Sequence, residues 1–171
     1  AFSATLRNLL AVCYAEKEII VVDGGSTDGT RQVIEAHALE IDKWVSQRDE
    51  GIYDAMNKGL SMATGEYVWF INAGDFVYDP YILEKIFKGE EVYHDFYYGD
   101  TLVLGENGKV KGLRRKRLPR RMTWHSFRRG MVVCHQSVIV RRSIAPDFNL
   151  RYKYSADVEW VLLALKAAKR K

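Results

Sequence analysis

Short unbroken apolar runs alternate along the chain with stretches whose apolar positions recur every three or four residues. Glu18-Ile19-Ile20-Val21-Val22-Asp23 and Tyr67-Val68-Trp69-Phe70-Ile71 are such runs, and their apolar centres suit parallel strands covered on both faces. Two helical stripes lie between them: Val33, Ile34, His37, Ala38 and Ile41, then Ile52, Ala55, Met56, Leu60 and Ala63, the second closed by Thr64-Gly65. A helix-like piece opens the chain over residues 2–12. Asp79-Pro80 marks the start of another that runs to Phe87. From about Asp95 to Leu104 the residues turn aromatic and β-branched, and residues 132–140 give a further strand candidate. Ser155 is placed to cap a last helix with Val158, Val161, Leu162 and Leu165 on one face. Strand–helix–strand alternation predicts an α/β fold, a mostly parallel sheet flanked by helices. Such a sheet ordinarily begins with a strand, whereas this chain opens on a helix and stops in a basic helix at Lys169-Arg170-Lys171. The expectation is a single domain lacking its first strand, with residues missing at both ends.

Composition narrows the class. With 171 residues, 47% hydrophobic and 28% charged, the chain has material for one core and is no disordered tail or fibrous repeat. No apolar run approaches the ~20 residues that cross a bilayer. The first residues are too few and too polar for a signal peptide. Cys13 and Cys134 form neither a disulfide framework nor a spaced metal cluster, and are expected to be ordinary buried thiols in a reducing compartment.

Charge is unevenly spread. Ten of the 26 basic residues fall between Lys109 and Arg129 with no acid among them, leaving 16 basic against 22 acidic residues elsewhere. A mildly acidic domain thus carries one basic patch, suited to nucleic acid, anionic lipid or a phosphorylated substrate, or simply to a solvated loop.

Candidate chemistry gathers at the ends of the two strongest strands. In open parallel sheets ligands bind beyond the carboxyl ends of the strands. Here these ends read Asp23-Gly24-Gly25-Ser26 and Asn72-Ala73-Gly74-Asp75. Glycine lets a ligand approach the backbone, while the acid supplies an acceptor or a metal ligand. Neither glycine pattern is that of a dinucleotide cradle or a P-loop. Asp54, Asn57 and Lys58 share one helix face, where Asp54 and Lys58 make either a surface ion pair or part of an anion site at the helix start.

Taken together, residues 23–30, 49–59, 63–68 and 72–75 resemble the family 2 glycosyltransferases, inverting sugar-nucleotide transferases of the GT-A (Rossmann-like) fold. Order and spacing agree across residues 18–76, and residues 134–137 and 154–157 resemble the acceptor side more loosely. The resemblance is to bacterial enzymes that build capsule and other surface polysaccharides. It implies a nucleotide-sugar half at residues 1–90 and an acceptor half at 91–171. By position, Asp23 matches the acid that contacts the nucleotide, and Asp49 a further donor-binding acid. The matched motifs also place Gly24, Ser26, Asp54, Asn57 and Asn72 with the donor. Asp75 matches the last acid of the motif that binds Mn²⁺ or Mg²⁺ on the diphosphate, and Asp157 matches the catalytic base. His135 and Gln136 are candidates for acceptor or diphosphate contact. Many relatives carry an acid at the second position of the first motif and at the third position of the other, where this chain has Gly24 and Gly74, so the metal site rests on Asp75.

The implied activity is transfer from a nucleotide-diphospho sugar, UDP-sugar favoured, to a saccharide or polyprenyl-linked acceptor. The implied location is cytoplasmic, at the inner face of a membrane. Ten cations with Leu113, Leu118, Met122, Trp124 and Phe127 among them suit an anionic bilayer. Two alternatives remain: a sugar nucleotidyltransferase, and a nucleic-acid-binding module using residues 109–129. The second leaves the acidic strand ends without a purpose, because acids repel phosphodiester backbones.

Overall fold

The computed structural model describes residues 1–89, 93–105 and 108–170; Lys171 and the side chain of Arg129 lie outside the described residues. The elements follow in the order α1 (Phe2–Leu10), β1 (Ile20–Asp23), α2 (Thr30–Ala36), β2 (Lys43–Ser46), α3 (Ile52–Met62), β3 (Tyr67–Trp69), α4 (Ile82–Phe87), β4 (Phe96–Tyr98), β5 (Leu102–Leu104), β6 (Val110–Leu113), β7 (Val138–Arg141) and α5 (Ala156–Ala167). Three short 3₁₀ segments, Trp124–Arg129, His135–Ser137 and Arg142–Ile144, fill the later part.

β1 and β2 pair in parallel, with Ile20 opposite Lys43 and Asp23 opposite Ser46. β7 runs antiparallel between β3 and β4, and β5 and β6 form an antiparallel hairpin. The α/β class is as expected, but among the described residues the strands fall into three sheets, of which only the β1–β2 pair is parallel. A continuous apolar run reports burial on both faces, not strand direction: Val138, Ile139 and Val140 of β7 are all buried although the strand is antiparallel. β2 gives no sequence signal because its four residues are all half-buried. Among the described residues β1 pairs as a strand only with β2, and β3 only with β7. A cleft of about 820 Å³ lies beside both, lined by Ile19, Ile20, Leu60, Val68 and Phe70 among others.

The larger core joins α3, β3, β4, β7 and α5 around Trp160, Phe96, Val138, Val140 and Leu165. A smaller one gathers Leu6, Val21, Ile34 and Ile41 from α1, β1 and the α2 region. Two residues expected on the basic surface belong to the larger core: Met122 is 1% exposed and Phe127 7%. Leu118 packs against that core. Their spacing among cations hid their inward direction. The thiols also differ from expectation, Cys13 being exposed and Cys134 half-buried. α5 ends at Ala167, and Ala168 is extended, so Lys169 and Arg170 do not prolong it. Among the described residues no helix is long and apolar enough to cross a membrane.

Candidate active site

Asp23 ends β1 and is 5% exposed. Its Oδ2 accepts the Ser46 hydroxyl at 2.7 Å, and the Ser26 N–H reaches both carboxylate oxygens at 3.1 and 3.2 Å. Burial pushes this carboxyl up, but the hydrogen bonds from Ser26 and Ser46 outweigh it and hold Asp23 below the usual carboxylate range. The parallel register of β1 and β2 is what sets Ser46 beside it.

Asp49 comes to the same turn. A Cβ on Gly24 would lie 2.3 Å from Asp49 Oδ2, so the Asp49 carboxylate fills the space a side chain at position 24 would need. Asp49 Oδ1 accepts the Gly51 N–H at 3.0 Å. α3 then starts, and Asp54 Oδ2 accepts the Glu50 N–H at 3.0 Å and pairs with Lys58 Nζ at 2.9 Å. Lys58 and that amide hold the Asp54 carboxyl below its usual range. One turn on, Asn57 is committed to the backbone of Phe148 through both ends of its amide.

The Asn72–Asp75 turn is closed by the Asp75 N–H on the Asn72 carbonyl at 3.0 Å. α1 braces it: Thr5 Oγ1 donates to the Asp75 carbonyl at 3.0 Å and accepts the Gly74 N–H at 2.8 Å. Asn8, one turn further along α1, takes both backbone groups of Val77. Thr5 and Asn8 escaped the sequence reading, although two polar residues one turn apart on an otherwise apolar helix face were the available signal. Gly74 has φ of 108° and open space where a Cβ would stand. Among the described residues no group of three or more His, Cys, Asp or Glu side chains is disposed to hold a metal ion.

Asp157 stands in the first turn of α5. Ser155 before it adopts φ of 64° and makes no side-chain cap; its carbonyl takes the Val158 N–H instead. This corrects the expected capping role, since a left-handed Ser155 directs its hydroxyl elsewhere. Asp157 Oδ2 lies 3.2 Å from His135 Nδ1, and Oδ1 accepts the Tyr53 hydroxyl at 3.2 Å. A carboxylate only accepts, which assigns the proton of that contact to Nδ1. The His135 hydrogen bond is the largest influence on Asp157 and, with Tyr53, holds its carboxyl below the usual range against partial burial. Gln136 has other partners, its Oε1 accepting the Cys134 thiol and its carbonyl the Trp69 indole. Tyr53 was not foreseen. It lies four residues beyond Asp49, so the first turn of α3 connects the Asp23–Asp49 turn with Asp157.

These carboxylates, two at one turn and a third held ionised by two donors, suit binding of a polar donor and acceptance of a proton. A sequence profile for Glycosyl transferase family 2 matches residues 2–147. The chain belongs to this family. It is 36% identical over 163 residues to a PGL/p-HBAD biosynthesis glycosyltransferase of Mycobacterium bovis, covering 90% of this chain and 60% of that protein. An uncharacterised glycosyltransferase of Nostoc sp. is 38% identical over 87 residues, 49% of this chain and 27% of the relative. The crystal structure of S. aureus TarS 1–349 superposes with a TM-score of 0.73 at 20% identity, covering 99% of this chain and 52% of that one. The same TarS fragment in complex with UDP gives 0.64 over the same shares. The family 2 chain described here therefore has the GT-A-like α/β fold, and spans about 60% of the length of the mycobacterial relative.

Proposed function

We propose that this chain carries the donor site and catalytic base of an inverting glycosyltransferase. It uses a nucleotide-diphospho sugar, UDP-sugar favoured, and a saccharide or polyprenyl-linked acceptor in bacterial surface-polysaccharide synthesis on the cytoplasmic side. Residues 1–90 form the donor half of one domain and residues 91–171 the acceptor half. The observation that carries this reading is Asp157, a carboxylate kept ionised between His135 and Tyr53. In an inverting displacement the acceptor hydroxyl oxygen bonds to the anomeric carbon from the face opposite the diphosphate. The bond from that carbon to the diphosphate oxygen breaks, and the hydroxyl proton passes to Asp157. Asp23 and Asp49, with Gly24 and Ser26, receive the nucleotide, and the turn from Asn72 to Asp75 faces the diphosphate. Asp54 and Asn57 support this site through the start of α3 and through Phe148.

A divalent ion fits this turn only in part. The chain offers Asp75 as a single carboxylate, with open space over Gly74 and no further acidic cluster among the described residues. Mg²⁺ or Mn²⁺ held by Asp75 would take its other ligands from the donor diphosphate and water, as hard cations with few protein ligands do, and would carry charge on the departing diphosphate.

The basic segment is assigned to peripheral contact with an anionic membrane. Support comes from the β5–β6 hairpin, where Leu104, Val110 and Leu113 are exposed beside exposed Lys111, Arg115 and Arg117. Trp124 is exposed as well. Sedimentation with anionic vesicles, reversed by high salt and lost in a variant with Arg114, Arg115, Lys116 and Arg117 changed to Ser, is the expected result. Equal sedimentation of both proteins removes this contact.

The donor reading is tested by thermal shift with UDP-, GDP- and dTDP-sugars, each with and without Mn²⁺. A ligand at ~100 times its Kd stabilises by about 2.7 kcal/mol, so a UDP-sugar should raise Tm clearly. Product NMR should show an inverted anomeric centre. Pyrophosphate release would identify a nucleotidyltransferase instead.

A further inference from the structure

Three elements distant in sequence meet at one carboxylate. Tyr53 is on α3, His135 in the 3₁₀ segment His135–Ser137, and Asp157 on α5, with separations of 104 and 22 residues. We propose that His135 and Tyr53 are positioning residues for Asp157, fixing its orientation and its ionised state, and that His135 does not contact acceptor or diphosphate. The inference rests on the assignment of Asp157 as the base.

The geometry argues it on four counts. Each carboxylate oxygen has its own donor, so rotation of the group would break two hydrogen bonds at once. The Val158 N–H also bears on the carboxylate, and two oxygens with about four lone-pair sites still leave a place for an incoming hydroxyl proton. The Tyr53 ring is itself held in a stack: it lies 5.5 Å from Phe148, which lies 5.1 Å from Trp160 at an interplanar angle of 6°. Finally, the His135 side chain is only 11% exposed, and its Nε2 is buried without a partner. A ring so placed reaches a ligand poorly, whereas the Asp157 side chain is 22% exposed.

The groups bearing on Asp157 are few. Its charge interacts with His135 and Tyr53. Glu159 follows two residues later on α5 itself. The 3₁₀ segment Trp124–Arg129 packs against α5, and its His125 and Arg128 are exposed.

The test is the pH dependence of kcat in wild type, Tyr53→Phe, His135→Ala, His135→Asn and Asp157→Asn. Tyr53→Phe keeps the ring stack and removes one donor. Loss of a donor to the carboxylate raises its pKa, so the acid limb should move to higher pH, by about one unit for His135→Ala and less for Tyr53→Phe. kcat should fall by ~10-fold or more with donor KM nearly unchanged. His135→Asn can place an amide N–H where Nδ1 stood, and should restore the acid limb. Acid limbs that superimpose on wild type in both donor-removing variants overturn the inference. So does a raised donor KM at unchanged kcat in His135→Ala, which would put the imidazole on the donor. Should His135→Ala fail to fold, Tyr53→Phe and His135→Asn decide. Full turnover by Asp157→Asn would instead overturn the assignment of the base, and is separable because it leaves the other variants' folding and donor binding intact.

Discussion

Asn57 grips Phe148 by both ends of its amide. Its Nδ2 donates to the Phe148 carbonyl at 2.9 Å, and its Oδ1 accepts the Phe148 N–H at 2.7 Å, across 91 residues of sequence. Phe148 is 2% exposed and stacks between Tyr53 and Trp160. One side chain of α3 thereby fixes the ring that supports the Tyr53 hydroxyl on Asp157.

Asn57→Ala leaves two backbone groups of Phe148 without partners. The expected loss is about 2 kcal/mol, the range for buried groups left unsatisfied, read by urea denaturation at neutral pH. kcat should fall alongside, because the stack under Tyr53 loosens. A loss below about 0.5 kcal/mol, within the range of ordinary surface changes, would show that water replaces the amide.

The Gly24–Asp49 contact makes a prediction of coupling. A methyl group on Gly24 would meet Asp49 Oδ2 at 2.3 Å, so Gly24→Ala must displace that carboxylate. Donor affinity should fall by ~10-fold or more in either Gly24→Ala or Asp49→Ala, through the same lost group. The double variant should be little worse than either single one, the non-additivity expected of residues in contact. Calorimetric titration with UDP-sugar checks it, and additive losses would separate the two positions.

Asp75→Asn isolates the metal. Thr5 holds the turn through the Asp75 carbonyl and the Gly74 N–H, not through the Asp75 side chain. The substitution should therefore leave Tm unchanged in the absence of ligand. It should also remove the increment in donor affinity that Mn²⁺ supplies, because a hard cation needs the charge. An unchanged Mn²⁺ increment would move the ion off Asp75.

Glu18 sets a pH dependence of stability. It pairs with Lys43 at 2.6 Å and accepts the N–H and hydroxyl of Thr64. Burial pushes its carboxyl up, but these partners outweigh burial and lower it from 4.5 to about 2. A carboxyl lowered by folding adds stability that is complete above its unfolded value and disappears as pH falls through the folded one. Glu18→Gln should thus cost about 1–2 kcal/mol at pH 7, the range of hydrogen bonds to a charged group. The difference should shrink between about pH 4.5 and pH 2, followed by denaturant unfolding across pH. A difference independent of pH would assign the effect to packing.

Local pattern and long-range contact divided the information. The helices over Thr30–Ala36 and Ile52–Met62 and the strands Ile20–Asp23 and Tyr67–Trp69 were legible because apolar periodicity and turn residues act within a few positions. So were the α/β class and the acid that closes β1, since glycine and aspartate mark a strand end locally, whereas Asp75 stands six residues beyond the end of β3. The direction of β7 was not legible, because burial on both faces produces the same apolar run in either direction. β2 was hidden because only its register with β1 defines it. Asn57 read as a donor contact, yet its partner stands 91 residues away. Tyr53 lies inside the 49–59 stretch, but its role was not legible there, since its hydroxyl acquires meaning only where Asp157, 104 residues on, is folded against it. The sequence by itself determined the helical stripes, the strands with an unbroken apolar run and the acid at the end of β1, because those depend on near neighbours. Only the tertiary structure decided which polar side chains brace the backbone and which two hold Asp157, because hydrogen-bond partners so far apart in the chain are chosen by packing of the core between them.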